Sequence, residues 1–131
     1  MKNCPTHGGT ETILLVEDED MVSDLTKRIL ERCGYSVLTA TNGKEALNVY
    51  EKERDKISLV VLDLIMPEMG GRQCLEEFHK IDPALNILVT SGYPLNERTK
   101  KSIESVAKGF VGKPYDMKEI LRAVRDILNS D

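Results

Sequence analysis

Leu59-Val60-Val61-Leu62-Asp63 decides the fold: four consecutive apolar residues, two of them β-branched, run straight into a carboxylate. A run this short, with no polar alternation, reads as a strand covered on both faces, as in parallel sheets. Similar runs lie on either side of it. Ile13-Leu14-Leu15-Val16 comes before, while Ile87-Leu88-Val89 and a weaker Phe110-Val111 come after. The segment from Tyr35 to Ala40 mixes Val37 and Leu38 with Ser36 and Thr39, as expected for a strand near a sheet edge with one wetter face.

The spaces between these runs are filled by helical patterns. Met21, Val22, Leu25, Ile29 and Leu30 recur at a helix period, and the stretch ends at Gly34, the residue type that most often closes a helix. Asn42 with Glu45 three residues on reads as a capping box before Ala46, Leu47 and Tyr50, and Asp116 with Glu119 repeats the device before Met117, Ile120, Leu121, Val124, Ile127 and Leu128. A helix is also expected around Cys74, Leu75 and Phe78. Another spans roughly Asn96 to Lys108, where only Ile103, Val106 and Ala107 form a buried stripe. Strand and helix alternating five times predicts an α/β domain, a doubly wound parallel sheet with helices on both faces. Ligands of such folds bind outside the carboxyl ends of the strands, where the winding changes direction.

Size and charge narrow the class. A chain of 131 residues that is 40% apolar can build one core, and 22 acids against 18 Lys and Arg give a net charge of −4, which argues against direct nucleic-acid binding. Cys4, Cys33 and Cys74 are odd in number and form no C-x-x-C pair, so neither a disulfide framework nor a zinc site is expected, and a reducing cytoplasm fits best. No window approaches the ~18 apolar residues of a membrane span, and the amino terminus lacks the apolar stretch of a signal peptide. Residues 1–11 are expected to be a flexible tail and residues 12–131 the domain. His7 and His79 read as solvated, and Cys33 and Cys74 as core.

The strand ends carry the chemistry. The first run ends in Glu17-Asp18-Glu19-Asp20, the third strand in Asp63, the fourth in Thr90-Ser91-Gly92, and the fifth is followed by Lys113-Pro114. Taken singly, each has an ordinary reading: acids after a strand favour a helix start, and a lysine before proline is usually surface. Together they meet at one sheet edge. Two carboxylates ~4 Å apart at an effective dielectric of ~20 repel by roughly 4 kcal/mol, so Asp18 beside Asp63 calls for a cation. A hard divalent ion such as Mg²⁺ wants oxygen ligands and phosphate oxygens, and Lys113 would supply further positive charge.

In combination these residues resemble the receiver domains of response regulators in two-component signal transduction, from about Thr12 to Leu128. Ile13-Leu14-Leu15-Val16-Glu17-Asp18-Glu19 is similar to the family's opening strand and acidic pair. Asp63-Leu64-Ile65-Met66-Pro67-Glu68-Met69-Gly70-Gly71 is similar to its phosphoacceptor loop, and Thr90-Ser91-Gly92 and Lys113-Pro114-Tyr115 to its other two signatures. Glu17 departs from the more frequent Asp of the acidic pair, and Gly70 stands where Asp or Asn is common.

The resemblance implies a five-stranded sheet of order 2-1-3-4-5 between two helical layers. It implies that Asp63 accepts a phosphoryl group from a phosphohistidine donor, which would be a sensor histidine kinase or a histidine phosphotransfer domain. It also implies Mg²⁺, or Mn²⁺ in its place, bound by Asp18, Asp63, the main-chain carbonyl of Ile65 and, through water, Glu17. Thr90 and Lys113 would contact the phosphoryl oxygens, and the Lys113–Pro114 bond would be cis. Thr90 and Phe110 would then switch the face made by the fourth helix, fifth strand and fifth helix, where an output protein would dock. Gly8-Gly9-Thr10-Glu11-Thr12 and Thr90-Ser91-Gly92-Tyr93 resemble receivers fused to hybrid kinases. The chain would then be a signalling domain with slow hydrolysis of its own acyl phosphate, not an enzyme in the usual sense.

Other readings fit less well. A phosphatase of the haloacid-dehalogenase type needs a second acid two residues after the nucleophile, where Ile65 stands. A nucleotide-binding domain needs a Gly-rich loop after the first strand, where four acids would repel phosphate. A receiver kept only for protein binding has no need of the intact acids and Lys113.

Overall fold

The computed structural model describes residues 8–64, 71–91, 97–112 and 116–129. Strand and helix alternate throughout them: β1 (Thr12–Val16), α1 (Asp20–Arg32), β2 (Ser36–Ala40), α2 (Gly43–Glu53), β3 (Ile57–Asp63), α3 (Gly71–Ile81), β4 (Ile87–Ser91), α4 (Glu97–Glu104), β5 (Gly109–Gly112) and α5 (Met117–Asn129). The five strands form one sheet of order β2-β1-β3-β4-β5, with every neighbouring pair parallel. This is the doubly wound sheet expected from the sequence, and the direction of winding changes between β1 and β3.

Period-two geometry explains why each central strand carries an uninterrupted apolar run. Leu14, Val16, Val60, Leu62, Ile87 and Val89 pack with Ala46, Tyr50, Leu75, Phe78 and Ile103 beneath α2, α3 and α4. Ile13, Leu15, Leu59, Val61 and Leu88 point the other way, onto Ile29, Leu30, Ile120, Leu121, Val124 and Ile127 of α1 and α5. Each fully buried side chain of this size contributes about 1.5 to 3 kcal/mol, so the two cores hold the sheet rigid from both sides. β2 is an edge strand, and its exposed Ser36 and Thr39 account for its mixed sequence.

The helix signals act as expected, with differences in detail. The Asn42 side chain accepts the Glu45 amide at 2.9 Å, but the Glu45 carboxylate turns to the Thr41 hydroxyl at 3.1 Å, so the cap is one-sided. The Asp116 carboxylate accepts the Glu119 amide at 2.8 Å at the start of α5. Helix α4 stops at Glu104, short of the expected Lys108, because the Ile103 carbonyl accepts the amides of both Val106 and Ala107 in a tight closing turn.

Cys33 corrects the expectation that the cysteines form no disulfide. It is buried, as expected, but disulfide-bonded to a partner outside the described residues. Spacing along the chain misled here, since the turn after α1 lies against the segment before β1 and distant residues meet there. Of the tail expected over residues 1–11, residues 1–7 lie outside the described residues, whereas Gly8 to Glu11 hydrogen-bond to the domain.

Candidate functional site

The carboxyl ends of β1 and β3 are adjacent, with Val16 opposite Leu62 in the register, so Glu17 and Asp63 are the next residues to face each other. Glu17 continues the ladder one rung past the strand, its amide donating to the Ala40 carbonyl at 3.0 Å. Its side chain is buried and accepts the Glu19 amide at 3.2 Å. Glu19 is the N-cap of α1 but makes no side-chain cap, and Asp20 occupies the first turn. The acidic run thus divides its labour: Glu19 and Asp20 start the helix, as such residues usually do, while Glu17 and Asp18 turn toward the sheet edge.

Glu17, Asp18 and Asp63 converge. One carboxylate oxygen from each lies within 4.8 Å of the others, and Glu17 and Asp63 are buried while Asp18 is half-buried. At that separation and an effective dielectric of ~20, each pair of ionised groups repels by roughly 3.5 kcal/mol or more. Three carboxylates offering only oxygen donors suit a hard divalent cation such as Mg²⁺, and they lack the sulfur or imidazole ligands that softer metals select. The donor set therefore fits the ion that the resemblance implies.

Thr90 is the register partner of Asp63 across β3 and β4, and the Leu64 amide donates to the Thr90 carbonyl at 2.9 Å. Thr90 is buried, and so is Ser91 beyond it, at the same edge. β5 ends at Gly112, opposite Ser91 and one residue before Lys113. Lys113, its bond to Pro114 and the Ile65 carbonyl lie outside the described residues.

Phe110 is half-buried. Together with Lys100, Ile103 and Ala107 it lines a cavity of about 380 Å³ between α4 and β5. Sequence reasoning missed the Glu19 amide that steadies Glu17 and the burial of Ser91. The only available signals were the Glu-x-Glu spacing at a strand-to-helix junction and a hydroxyl following a buried threonine. Among the described residues, no helix is long and apolar enough to cross a membrane.

Comparison with known proteins agrees with this fold. Residues 13–125 match the response regulator receiver domain family. The chemotaxis protein CheY of Thermotoga maritima is 33% identical over 88% of this chain and 95% of its own length. The sensor kinase CckA of Brucella abortus is 36% identical over 92% of this chain, which spans 13% of that protein. Among solved structures, a response regulator receiver domain protein from Clostridium thermocellum superposes with a TM-score of 0.85 at 26% identity, covering 92% of this chain and 95% of its own. The receiver domain of the hybrid histidine kinase CckA superposes at 0.75 with 33% identity, covering 89% and 98%.

Proposed function

We propose, since the chain belongs to the response regulator receiver domain family, that its phosphoacceptor is Asp63 and that Glu17, Asp18, Thr90 and Lys113 serve the transfer. The observation that carries this reading is the convergence of the three carboxylates at the ends of β1 and β3, with Thr90 directly opposite Asp63. The donor is a phosphohistidine on a sensor histidine kinase or a histidine phosphotransfer domain. An oxygen of Asp63 attacks phosphorus in line, the bond from phosphorus to the imidazole nitrogen breaks, and an acyl phosphate remains on Asp63.

Asp18, Asp63, the Ile65 carbonyl and, through water, Glu17 would hold Mg²⁺ or Mn²⁺, which would supply the positive charge that the carboxylates and the phosphoryl oxygens need. The Glu19 amide keeps the Glu17 carboxylate turned into the pocket. Lys113 and the Thr90 hydroxyl complete the charge and hydrogen-bond complement of the phosphoryl group. Water hydrolyses the acyl phosphate slowly.

The surface beside the pocket suits a protein donor. Met21 and Leu25 lie one helical turn apart on α1 and are 86% and 61% exposed, placing apolar surface next to the acids that a donor must approach. The output partner docks on the face of α4, β5 and α5, in the cytoplasm and without direct nucleic-acid contact. The domain proper occupies residues 12–131. The likeness to the sensor kinase CckA supports a hybrid kinase as the parent.

The test is incubation with acetyl phosphate and Mg²⁺. One phosphoryl group labile to hydroxylamine is expected on the wild type and none on Asp63→Asn. Equal labelling of the two proteins would refute the assignment.

A further inference from the structure

The amino-terminal ends of the strands carry a second organised region, away from the acidic pocket. The Gly9 amide donates to the Cys33 carbonyl at 3.1 Å, and the Ser36 amide donates to the Glu11 carbonyl at 3.1 Å, so the segment before β1 is stitched to the turn between α1 and β2. The fit is close, since a Cβ on Gly34, whose φ is +99°, would lie 2.4 Å from the Gly9 oxygen. Only glycine permits that approach and that dihedral.

Arg125 clamps α5 to this region. Its guanidinium donates to the Gly8 carbonyl at 3.1 Å, to the Tyr35 hydroxyl at 3.3 Å, to both oxygens of Glu11 at 3.2 and 2.8 Å and, through Nε, to the Asn129 side chain at 3.0 Å. The Arg125 and Glu11 side chains are 16% and 29% exposed, so this two-pronged pair is screened less than an open surface pair. A planar fork with every nitrogen engaged holds one orientation, which a lysine in its place could not reproduce.

α5 also leans on β5. A Cβ on Gly109 would lie 3.1 Å from Ile127 Cδ1 and 3.2 Å from Leu88 Cδ1, so Ile127, two residues beyond Arg125, rests on bare β5 backbone. With no side chain between them to absorb a displacement, a shift of β5 presses directly on α5. The helix thus has one point where movement would enter, at Gly109, and one where it is held, at Arg125.

We propose that Arg125 is a positioning residue that locks α5: its clamp on Gly8, Glu11 and Tyr35 keeps the helix in place when β5 moves, so phosphorylation at the acidic pocket remodels α4 and β5 against a fixed α5. The inference rests on the phosphoacceptor reading above and adds which part of the output face carries the signal. α4 is the natural moving part, because among its described side chains only Ile103 is buried. Coupling passes through elements that have two arrangements, and a locked helix has one. A partner seated across α4, β5 and α5 then meets α5 as constant surface and α4 and β5 as the part that changes.

The test compares the whole chain as wild type, Arg125→Gln and Glu11→Gln, prepared identically, with far-ultraviolet circular dichroism showing that each is folded. Without metal or phosphoryl mimic, the amides of α5 and of Ser36 should exchange with solvent about tenfold faster in Arg125→Gln, and with a smaller increase in Glu11→Gln, while α2 and α3 keep their protection. Beryllofluoride with Mg²⁺ is then added and amide shifts are followed. In the wild type α4 and β5 should shift and α5 stay still, whereas in both variants the shifts should spread into α5. If Arg125→Gln fails to fold, Glu11→Gln, which leaves the contacts with Gly8 and Tyr35, gives the answer alone. Unchanged α5 protection in the variants would overturn the lock, as would wild-type shifts as large in α5 as in α4. Faster exchange with the shifts still confined would reduce the pair to plain stabilisation and overturn the lock as well. The absence of any shift around Asp63, a result unlike these, would overturn the phosphoacceptor reading and the confinement together.

Discussion

Asp63 and Thr90 face each other across β3 and β4, and the backbone locks them there, since the Leu64 amide binds the Thr90 carbonyl at 2.9 Å. A phosphoryl group on Asp63 would therefore find the Thr90 hydroxyl within reach while the strand itself stays fixed. Only the side chain is free to respond. Thr90→Ala should leave acetyl phosphate labelling of Asp63 within a few-fold of the wild type, yet shrink the amide shifts that beryllofluoride and Mg²⁺ induce in α4 and β5. Full-sized shifts in Thr90→Ala would remove Thr90 from the switch.

The acidic pocket should destabilise the metal-free fold, because Glu17, Asp18 and Asp63 crowd within 4.8 Å of one another. Asp18→Asn removes one charge without changing shape. Relieving even ~1 kcal/mol of repulsion raises the melting temperature of a domain this size by roughly 3 to 6 °C. Calorimetry without metal should show that rise, and Mg²⁺ should no longer stabilise the variant. A clear fall in melting temperature would mean that Asp18 is chiefly a structural cap.

Acid should weaken the Glu11–Arg125 pair. The hydrogen-bonded guanidinium of Arg125 holds the Glu11 carboxyl below its ordinary value of 4.5. A carboxyl more acidic when folded than when unfolded adds stability that is fully present above its unfolded pKa and is lost as pH falls through the folded one. The pair is 2.8 Å apart and only partly exposed, so Glu11→Gln should cost about 1 kcal/mol near pH 7. Urea titrations should show that gap closing below about pH 4.5. A gap that stays constant down to pH 3 would show that the carboxylate charge contributes nothing.

How far the sequence could be read depended on how local each signal was. The strands announced themselves through uninterrupted apolar runs, and because Glu17, Asp18, Asp63 and Thr90 directly follow or end those runs, their meeting at one edge follows from parallel topology alone. Asn42 and Asp116 cap helices through contacts three residues long, which a sequence displays openly. The Arg125 clamp was invisible for the opposite reason. Its partners Glu11 and Tyr35 lie more than two-thirds of the chain away, and a lone arginine on an amphipathic helix looks like solvated surface. Gly34 was legible as a helix stop, but its closeness to the Gly9 oxygen required the fold. The end of α4 was misjudged because its last apolar residues, Val106 and Ala107, belong to a turn wound on the Ile103 carbonyl.

Phe110 offers the sharpest test of whether phosphorylation reaches the α4–β5 face. It sits between two commitments: half-buried against the core beneath α4, and lining the cavity shared with Ile103 and Ala107. Full burial of a side chain this size contributes about 1.5 to 3 kcal/mol, and Phe110 has realised only part of it. It has no hydroxyl to hold it in solvent, so the remaining burial is available once Thr90, next to its register partner Val89, moves toward the phosphoryl group. That remainder is comparable to the ~1 to 3 kcal/mol typical of coupling between sites, enough to shift a two-state population several-fold. Beryllofluoride with Mg²⁺ should therefore move the amides of residues 97–104 and 109–112 in the wild type, with Phe110 becoming more protected. Phe110→Ala should confine the response to the neighbourhood of Asp63. The same variant should cost less than the ~3 to 5 kcal/mol usual for emptying a fully packed phenylalanine site, because part of the ring is exposed to begin with. Wild-type shifts that stop at Asp63, with α4 and β5 unmoved, would show that this receiver does not transmit its phosphorylation through Phe110.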